Sequence, residues 1–227
     1  MPSRKFFIIA IAVISVIAAG CGGAEPRFQG NANRPIVLPS AETDKPKIIA
    51  FGDSLTAGFG LAEKESYPYL LQQKLDADGF DYEVVNAGVS GDTSLGGAER
   101  VEWVLGRDDA KVLILALGAN DLLRHMPVDK MKANLEKILE KATAKKMKVL
   151  ICGMLAPAAV GEEYQRDYVN AYSDLAKKYD TAFLPFMLEG VALDKKLNQA
   201  DGIHPNAAGT EIMTENIYRT LKPILEK

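Results

Sequence analysis

The sequence predicts an α/β domain in which a parallel sheet is covered by helices on both faces. Three observations predict it. Short apolar runs, mostly rich in β-branched or other aliphatic residues, recur at residues 47–51, 82–86, 112–117, 149–154 and 181–184. Helical patterns follow them at residues 67–77, 94–105, 128–144, 163–179 and 207–225. The runs are apolar enough to be buried on both faces, and strand–helix alternation of this kind implies a parallel sheet. In such sheets ligands bind beyond the carboxyl ends of the strands.

In chain order, the first segment reads as a targeting signal. Arg4 and Lys5 supply positive charge, and an apolar run over residues 6–19 follows, broken by Ser15. It is shorter than the roughly 20 apolar residues of a membrane-spanning helix and fits the apolar region of a signal peptide. The run ends in Ala18-Ala19-Gly20-Cys21, which resembles a bacterial lipobox. That resemblance implies cleavage before Cys21 and a lipid on its thiol, with residues 1–20 as the signal peptide. Gly22, where an Asp would argue for inner-membrane retention, implies the outer membrane facing the periplasm if the host has two membranes. Residues 21–46 then read as the lipidated cysteine and a tether. Pro26, Pro35, Pro39 and Pro46 stand among Gly, Asn and Ser without sustained periodicity. Extended as polyproline II, such a segment rises about 3.1 Å per residue and holds a domain clear of a bilayer. The folded domain is expected over residues 47–227.

Within that domain, the run at 112–117 is the strongest strand. Met131, Leu135, Ile138 and Leu139 recur at three- and four-residue steps and give the third helix one apolar face. Trp103 is expected to anchor the second helix in the core. Cys152 sits in Val149-Leu150-Ile151-Cys152 and reads as a buried structural thiol. Pro205-Asn206 opens the last helix, with Asn206 as its N-cap. A net charge of -3 gives no basic footprint for nucleic acid. Two cysteines and two histidines leave no cluster with metal-ligand spacing.

Four separated segments carry polar residues suited to one site: Gly52-Asp53-Ser54-Leu55, Ser90-Gly91-Asp92, Gly118-Ala119-Asn120-Asp121 and Asp201-Gly202-Ile203-His204-Pro205. Ser54 follows the first strand directly, on a strand-to-helix turn. Thr56 stands where a G-x-S-x-G elbow would have its second glycine, which disfavours the α/β-hydrolase fold. Asp201 and His204, three residues apart around Gly202, make a local pair in which the acid fixes the tautomer of the base. The Asn120 amide at a strand end is placed to donate to a developing oxyanion, and Gly91 offers a backbone N–H that no side chain blocks. Taken singly, Asp53 and Ser54 read equally as helix caps, and Gly91 and Asn120 as turn residues.

Together, and with Thr56-Ala57-Gly58-Phe59-Gly60, Glu65-Ser66-Tyr67-Pro68 and residues 86–94 around them, the four segments resemble the SGNH, or GDSL, hydrolase superfamily, in its bacterial thioesterase/lysophospholipase/arylesterase branch. The resemblance covers residues 47–225. It implies a three-layer flavodoxin-like fold with a five-stranded parallel sheet. By matching motif it implies Ser54 as nucleophile, His204 as general base and Asp201 as the residue that orients it. The oxyanion hole comprises the Ser54 and Gly91 N–H groups and the Asn120 side chain, with Gly91 preferred to Gly88. Ala119 departs from the glycine common in close relatives and leaves Asn120 in place. The resemblance implies no cofactor and no metal. The implied partners are a small acyl ester or thioester and, through Cys21, a membrane.

Two loops rim this site. Leu122, Leu123 and Met126 either contact an acyl chain or begin the next helix and cover the core. His125 reads as a rim residue. Met154, Leu155 and Pro157 lie on a long apolar loop that either meets an acyl group or packs on the domain. The same catalytic set serves carbohydrate deacetylases, and few aromatics near the motifs argue mildly against a sugar. Asp53, Asp92, Asp121 and Asp201 around a hard cation are a further alternative, which leaves Ser54, Asn120 and His204 unexplained. A non-catalytic binding protein on the same scaffold would have lost a catalytic residue, and none is lost.

Overall fold

The computed structural model describes residues 44–106 and 108–226. The signal peptide, Cys21 and all but the last residues of the tether lie outside the described residues. Strands β1 (Lys47–Gly52), β2 (Glu83–Gly88), β3 (Ala110–Ala116), β4 (Lys148–Cys152) and β5 (Ala182–Leu184) form one parallel sheet in the order β2-β1-β3-β4-β5. This is a flavodoxin-like order, which reverses direction between β1 and β3 and opens a crevice there.

The helices divide between the two faces. On one side lie α3 (Ser94–Val104), α5 (Val128–Ala144) and α6 (Glu162–Tyr179); on the other lie α2 (Tyr67–Ala77) and α7 (Ala207–Leu221). Strand β1 shows why its sequence is apolar throughout. Ile49 and Phe51 enter the first core with Met131, Leu135 and Ile138 of α5, while Ile48 and Ala50 enter the second with Leu71 and Met213. Both faces are dry, so the strand has no polar position to alternate. The α6 stripe of Tyr168, Ala171, Tyr172, Leu175 and Ala176 follows helical spacing.

Two short helices follow β1 and β3: α1 (Ser54–Ala57) and α4 (Ala119–Leu123). At four and five residues they are too short to leave a periodic signal, and α4 was not expected. Helix α7 ends at Leu221, before the expected 225, and passes into a 3₁₀ turn over Lys222–Ile224, because Pro223 has no N–H to continue the ladder.

Trp103 corrects an expectation. It is 64 % exposed. The inward face of α3 is Ser94, Gly97, Val101 and Val104, and a side chain on Gly97 would overlap Leu117. This close approach to the sheet sets the helix's rotation and turns Trp103 outward. Cys152 is fully buried as expected, and burial pushes its thiol up to about 12.

Candidate active site

The register brings three loops to one level. Gly52, the last residue of β1, pairs with Gly88 of β2 on one side and Ala116 of β3 on the other. The segments after these strands carry Ser54, Gly91 and Asn120. Two glycines seat the serine turn. A Cβ on Gly52 would overlap Thr56, and one on Gly88 would overlap the backbone of Ala57, so α1 lies down against the sheet ends only where side chains are missing. Asp53 caps α1 by accepting from the Leu55 N–H at 3.0 Å.

Ser54 meets His204 across 150 residues of chain. The Ser54 Oγ to His204 Nε2 distance is 3.0 Å, and His204 Nδ1 stands 2.7 Å from Asp201 Oδ2. The backbone N–H groups of Ile203 and His204 donate to Asp201 Oδ1 at 3.0 and 3.1 Å. These bonds, led by that from the His204 ring, hold the Asp201 carboxyl down at about 2. Asp201 is therefore ionised at neutral pH and must accept, so Nδ1 carries the proton. In the tautomer protonated at Nδ1, Nε2 accepts from the Ser54 hydroxyl. Gly202, with φ at 76°, makes the turn that folds Asp201 back on His204.

The Asn120 amide donates to Asp53 Oδ2 at 3.3 Å, which fixes it beside the residue preceding Ser54. Asp53 is 1 % exposed, and burial raises its carboxyl to about 6 in spite of its hydrogen bonds. Gly91 stands at φ 81° in a turn where the Asp92 N–H donates to the Val89 carbonyl at 3.0 Å. The Gly88 N–H is given to Asn86 Oδ1 at 3.0 Å.

Each of the four aspartates has its own bonds. Asp92 accepts from Arg100 Nε at 2.8 Å, and Asp121, 2 % exposed, accepts from the Ser94 N–H and hydroxyl at 2.8 and 2.6 Å. Asp53 and Asp201 serve Asn120 and His204. Among the described residues, no group of three or more His, Cys, Asp and Glu side chains is placed to share a cation.

Several residues of the site carry no sequence signal. Arg100 donates to the carbonyls of Ala87 and Gly52 at 2.9 and 3.1 Å and lies over the Phe51 ring, so it ties the ends of β1 and β2 together from below. Tyr168 and Tyr172 reach the carbonyls of Gly118 and Leu117 at 3.0 and 3.1 Å and shape the turn into α4. The Phe59 ring, half-exposed, lies 4.6 Å from that of His204. Gln199 donates to the carbonyls of Phe59 and Pro205 at 2.8 and 2.9 Å and so fastens the histidine loop to the serine loop. These contacts join positions far apart in the chain, apart from Arg100 to Ala87 and Gln199 to Pro205.

The expected rim residues separate into two groups. Leu122 and Met154 pack against the core and Met126 is half-buried, with its carbonyl held by the Tyr164 hydroxyl at 2.8 Å. Leu123, Leu155 and Pro157 are exposed. His125 is exposed and stacks on Tyr164 at 4.7 Å.

A serine, an imidazole and an ionised carboxylate in series at the carboxyl end of a flavodoxin-like sheet define a serine hydrolase by class. Residues 50–212 match the GDSL-like Lipase/Acylhydrolase family, and the chain belongs to it. It is 38% identical over 190 residues to an esterase, TesA, of Pseudomonas aeruginosa, covering 84% of this chain and 94% of that protein. It is 32% identical over 178 residues to thioesterase 1/protease 1/lysophospholipase L1 of Escherichia coli strain K12, covering 78% of this chain and 84% of that one. Among solved structures, a psychrotrophic esterase, EstA, of a Pseudoalteromonas species, inhibited by monoethylphosphonate, superposes with a TM-score of 0.74 at 29% identity, covering 78% of this chain and 97% of that chain.

Proposed function

We propose that this protein hydrolyses acyl esters and thioesters through an acyl-enzyme formed on Ser54. The observation that carries the proposal is the unbroken series Ser54 Oγ–His204 Nε2–Nδ1–Asp201 Oδ2, at 3.0 and 2.7 Å. His204 takes the hydroxyl proton as Ser54 attacks the carbonyl, and Asp201 stabilises the imidazolium that forms. The negative oxygen of the tetrahedral intermediate is met by the N–H groups of Ser54 and Gly91 and by the Asn120 amide. The leaving alcohol or thiol takes the proton back from His204. Water, activated by the same base, then releases the acid.

The exposed apolar side chains of Phe59, Leu123 and Leu155 support an acyl chain over a sugar as the group held at the rim. The names of the relatives support the same range of substrates: esters, thioesters and lysophospholipids. A panel of nitrophenyl esters of increasing length, acyl-CoA, a lysophospholipid and acetylated sugars, with Ser54→Ala as control, tests this. Turnover of the acyl donors by the wild type, lost in Ser54→Ala, is the expected result. Hydrolysis confined to the acetylated sugars would overturn it.

The proposal extends to location. The lipobox ending in Cys21 supports a lipid-anchored enzyme of the bacterial cell envelope, held by the tether over residues 21–46. Metabolic labelling with a radioactive fatty acid, abolished in Cys21→Ala, is the expected outcome. Unlabelled wild type that fractionates as a free protein would refute the anchor.

A further inference from the structure

The two proposed oxyanion donors beside Ser54 sit on separate loops. Gly91 follows β2 and Asn120 follows β3, and these strands flank β1 on opposite sides. With strands about 4.8 Å apart, the two loops start roughly 10 Å from each other. Their donors must nevertheless converge on one oxygen. Two links join the loops. The buried link is Asp121 on Ser94, one residue past Asn120 and three past Gly91. The exposed link is Arg124, whose Nη2 donates to the Gly91 carbonyl at 2.8 Å.

Arg124 lies on the Asn120 loop and reaches across to the Gly91 loop. Its own backbone N–H bonds the Asn120 carbonyl at 3.1 Å and closes the last turn of α4. Its side chain grips the residue that carries the other donor. That residue needs gripping. A positive φ at Gly91 but not at Ser90, with Val89 accepting from Asp92, is a type II turn. Types I and II differ by rotation of the central peptide, here Ser90–Gly91, and this is the peptide whose N–H points at the oxyanion. Glycine at the third position allows either form. A guanidinium fixed on the Gly91 carbonyl restrains the Cα from the other side and limits that rotation. Among the described residues, the one atom that a Cβ on Gly91 would meet within 4 Å, apart from its chain neighbours, is Nη2 of Arg124 at 3.8 Å.

We infer that Arg124 is a positioning residue that locks the Gly91 and Asn120 donors into one oxyanion hole. This rests on the assignment of those two donors. Loss of a whole donor costs about 10²–10³ in kcat, and loosening one costs less, so Arg124→Gln is expected to lower kcat on a neutral nitrophenyl ester by about tenfold. KM should change by less than about twofold, since the hole acts in the transition state and not in the ground state. The inhibition constant of an arylboronate, which forms a tetrahedral adduct on the serine, should rise in step with the fall in kcat. The melting temperature should stay put, because the side chain is exposed. Added methylguanidine should restore part of the rate. In combination with Asn120→Ala, the two losses should be less than additive.

Unchanged kcat in Arg124→Gln, with Asn120→Ala slow, would remove the clasp and leave the donors standing. Unchanged kcat in Asn120→Ala would remove the donor assignment itself. A neutral ester unaffected while KM for acyl-CoA alone rises would make Arg124 a reader of substrate phosphate, and the inference would fall. A melting temperature lowered together with kcat, without rescue by methylguanidine, would reduce the bond to a fold contact.

Discussion

Asp53 and Asp201 both support the working parts of the site, and their surroundings push them in opposite directions. Asp53 lies at the end of β1, 1 % exposed, and burial lifts it to about 6. Asp201 lies on the loop before α7 with a 38 % exposed side chain, and the bonds from His204 and Ile203 hold it at about 2. The first belongs to a region built by tertiary packing, in which Asp53, Asn120, Asp121 and Ser94 are bonded across strands. The second belongs to a region built by the chain's local path, three residues around one glycine. Ser54 and the Asn120 amide are thus positioned by the core, and His204 by a surface turn. Changes in the surface turn should cost mainly rate, and changes in the packed region should cost rate and stability together.

The largest expected effect is at Asp201. Asp201→Asn leaves the turn in place but presents the wrong partner to Nδ1, and a comparable substitution in a serine protease costs about 10⁴ in kcat, so a loss of about 10²–10⁴ is expected. Steady-state kinetics and a melting curve check this together, and a fall in melting temperature as large as that from a change in the packed region would break the comparison. Gly91→Ala comes next. The space is open, but a positive φ strains any other residue, and relaxing the turn rotates its N–H away, so a kcat loss approaching about 10² with KM nearly unchanged is expected. Asp121→Ala leaves the buried Ser94 N–H and hydroxyl without their acceptor. It should cost about 1–3 kcal/mol of stability by denaturant titration and reduce kcat as well. Loss of rate without loss of stability there would blur the division between the regions.

The smallest effect sharpens the contrast through pH. The Asp53 carboxyl is raised on folding, so its contribution to stability is fully present below its ordinary pKa and is lost as pH rises through about 6. The Asp201 carboxyl is lowered, so its contribution is present above its ordinary pKa and is lost as pH falls toward about 2. Melting temperatures of wild type and Asp53→Asn should therefore shift relative to one another in the variant's favour between pH 4 and 7. The difference between wild type and Asp201→Asn should shift in the variant's favour on acidification instead. Parallel curves in both cases would mean that the two carboxylates feel the same environment.

The same division explains what could be read from the chain. Asp201, Gly202 and His204 are legible because turn, acid and base are neighbours. Ser54, Gly91 and Asn120 are legible because each follows an apolar run that has to be a strand. What was not legible depends on pairing across the sheet. Nothing in the helix around Arg100 tells that it ties the ends of β1 and β2, and nothing near Phe59 places its ring beside His204. The rotation of α3, set by Gly97 against Leu117, sent Trp103 outward where composition alone suggested the core. The five strands and the main helices followed from apolar periodicity, with errors at their ends where Pro223 or a short turn intervened.

Trp103 has a practical consequence for anyone who follows unfolding by light emission. It is the chain's one tryptophan, and it is already 64 % in water. Its fluorescence in the native protein will be red-shifted and open to quenching by iodide, so denaturation will change its colour little. The optical signal of lost structure resides in Tyr67, Tyr168 and Tyr172, all sealed in the interior. Near-ultraviolet circular dichroism of the tyrosine band is the spectroscopic window on this core.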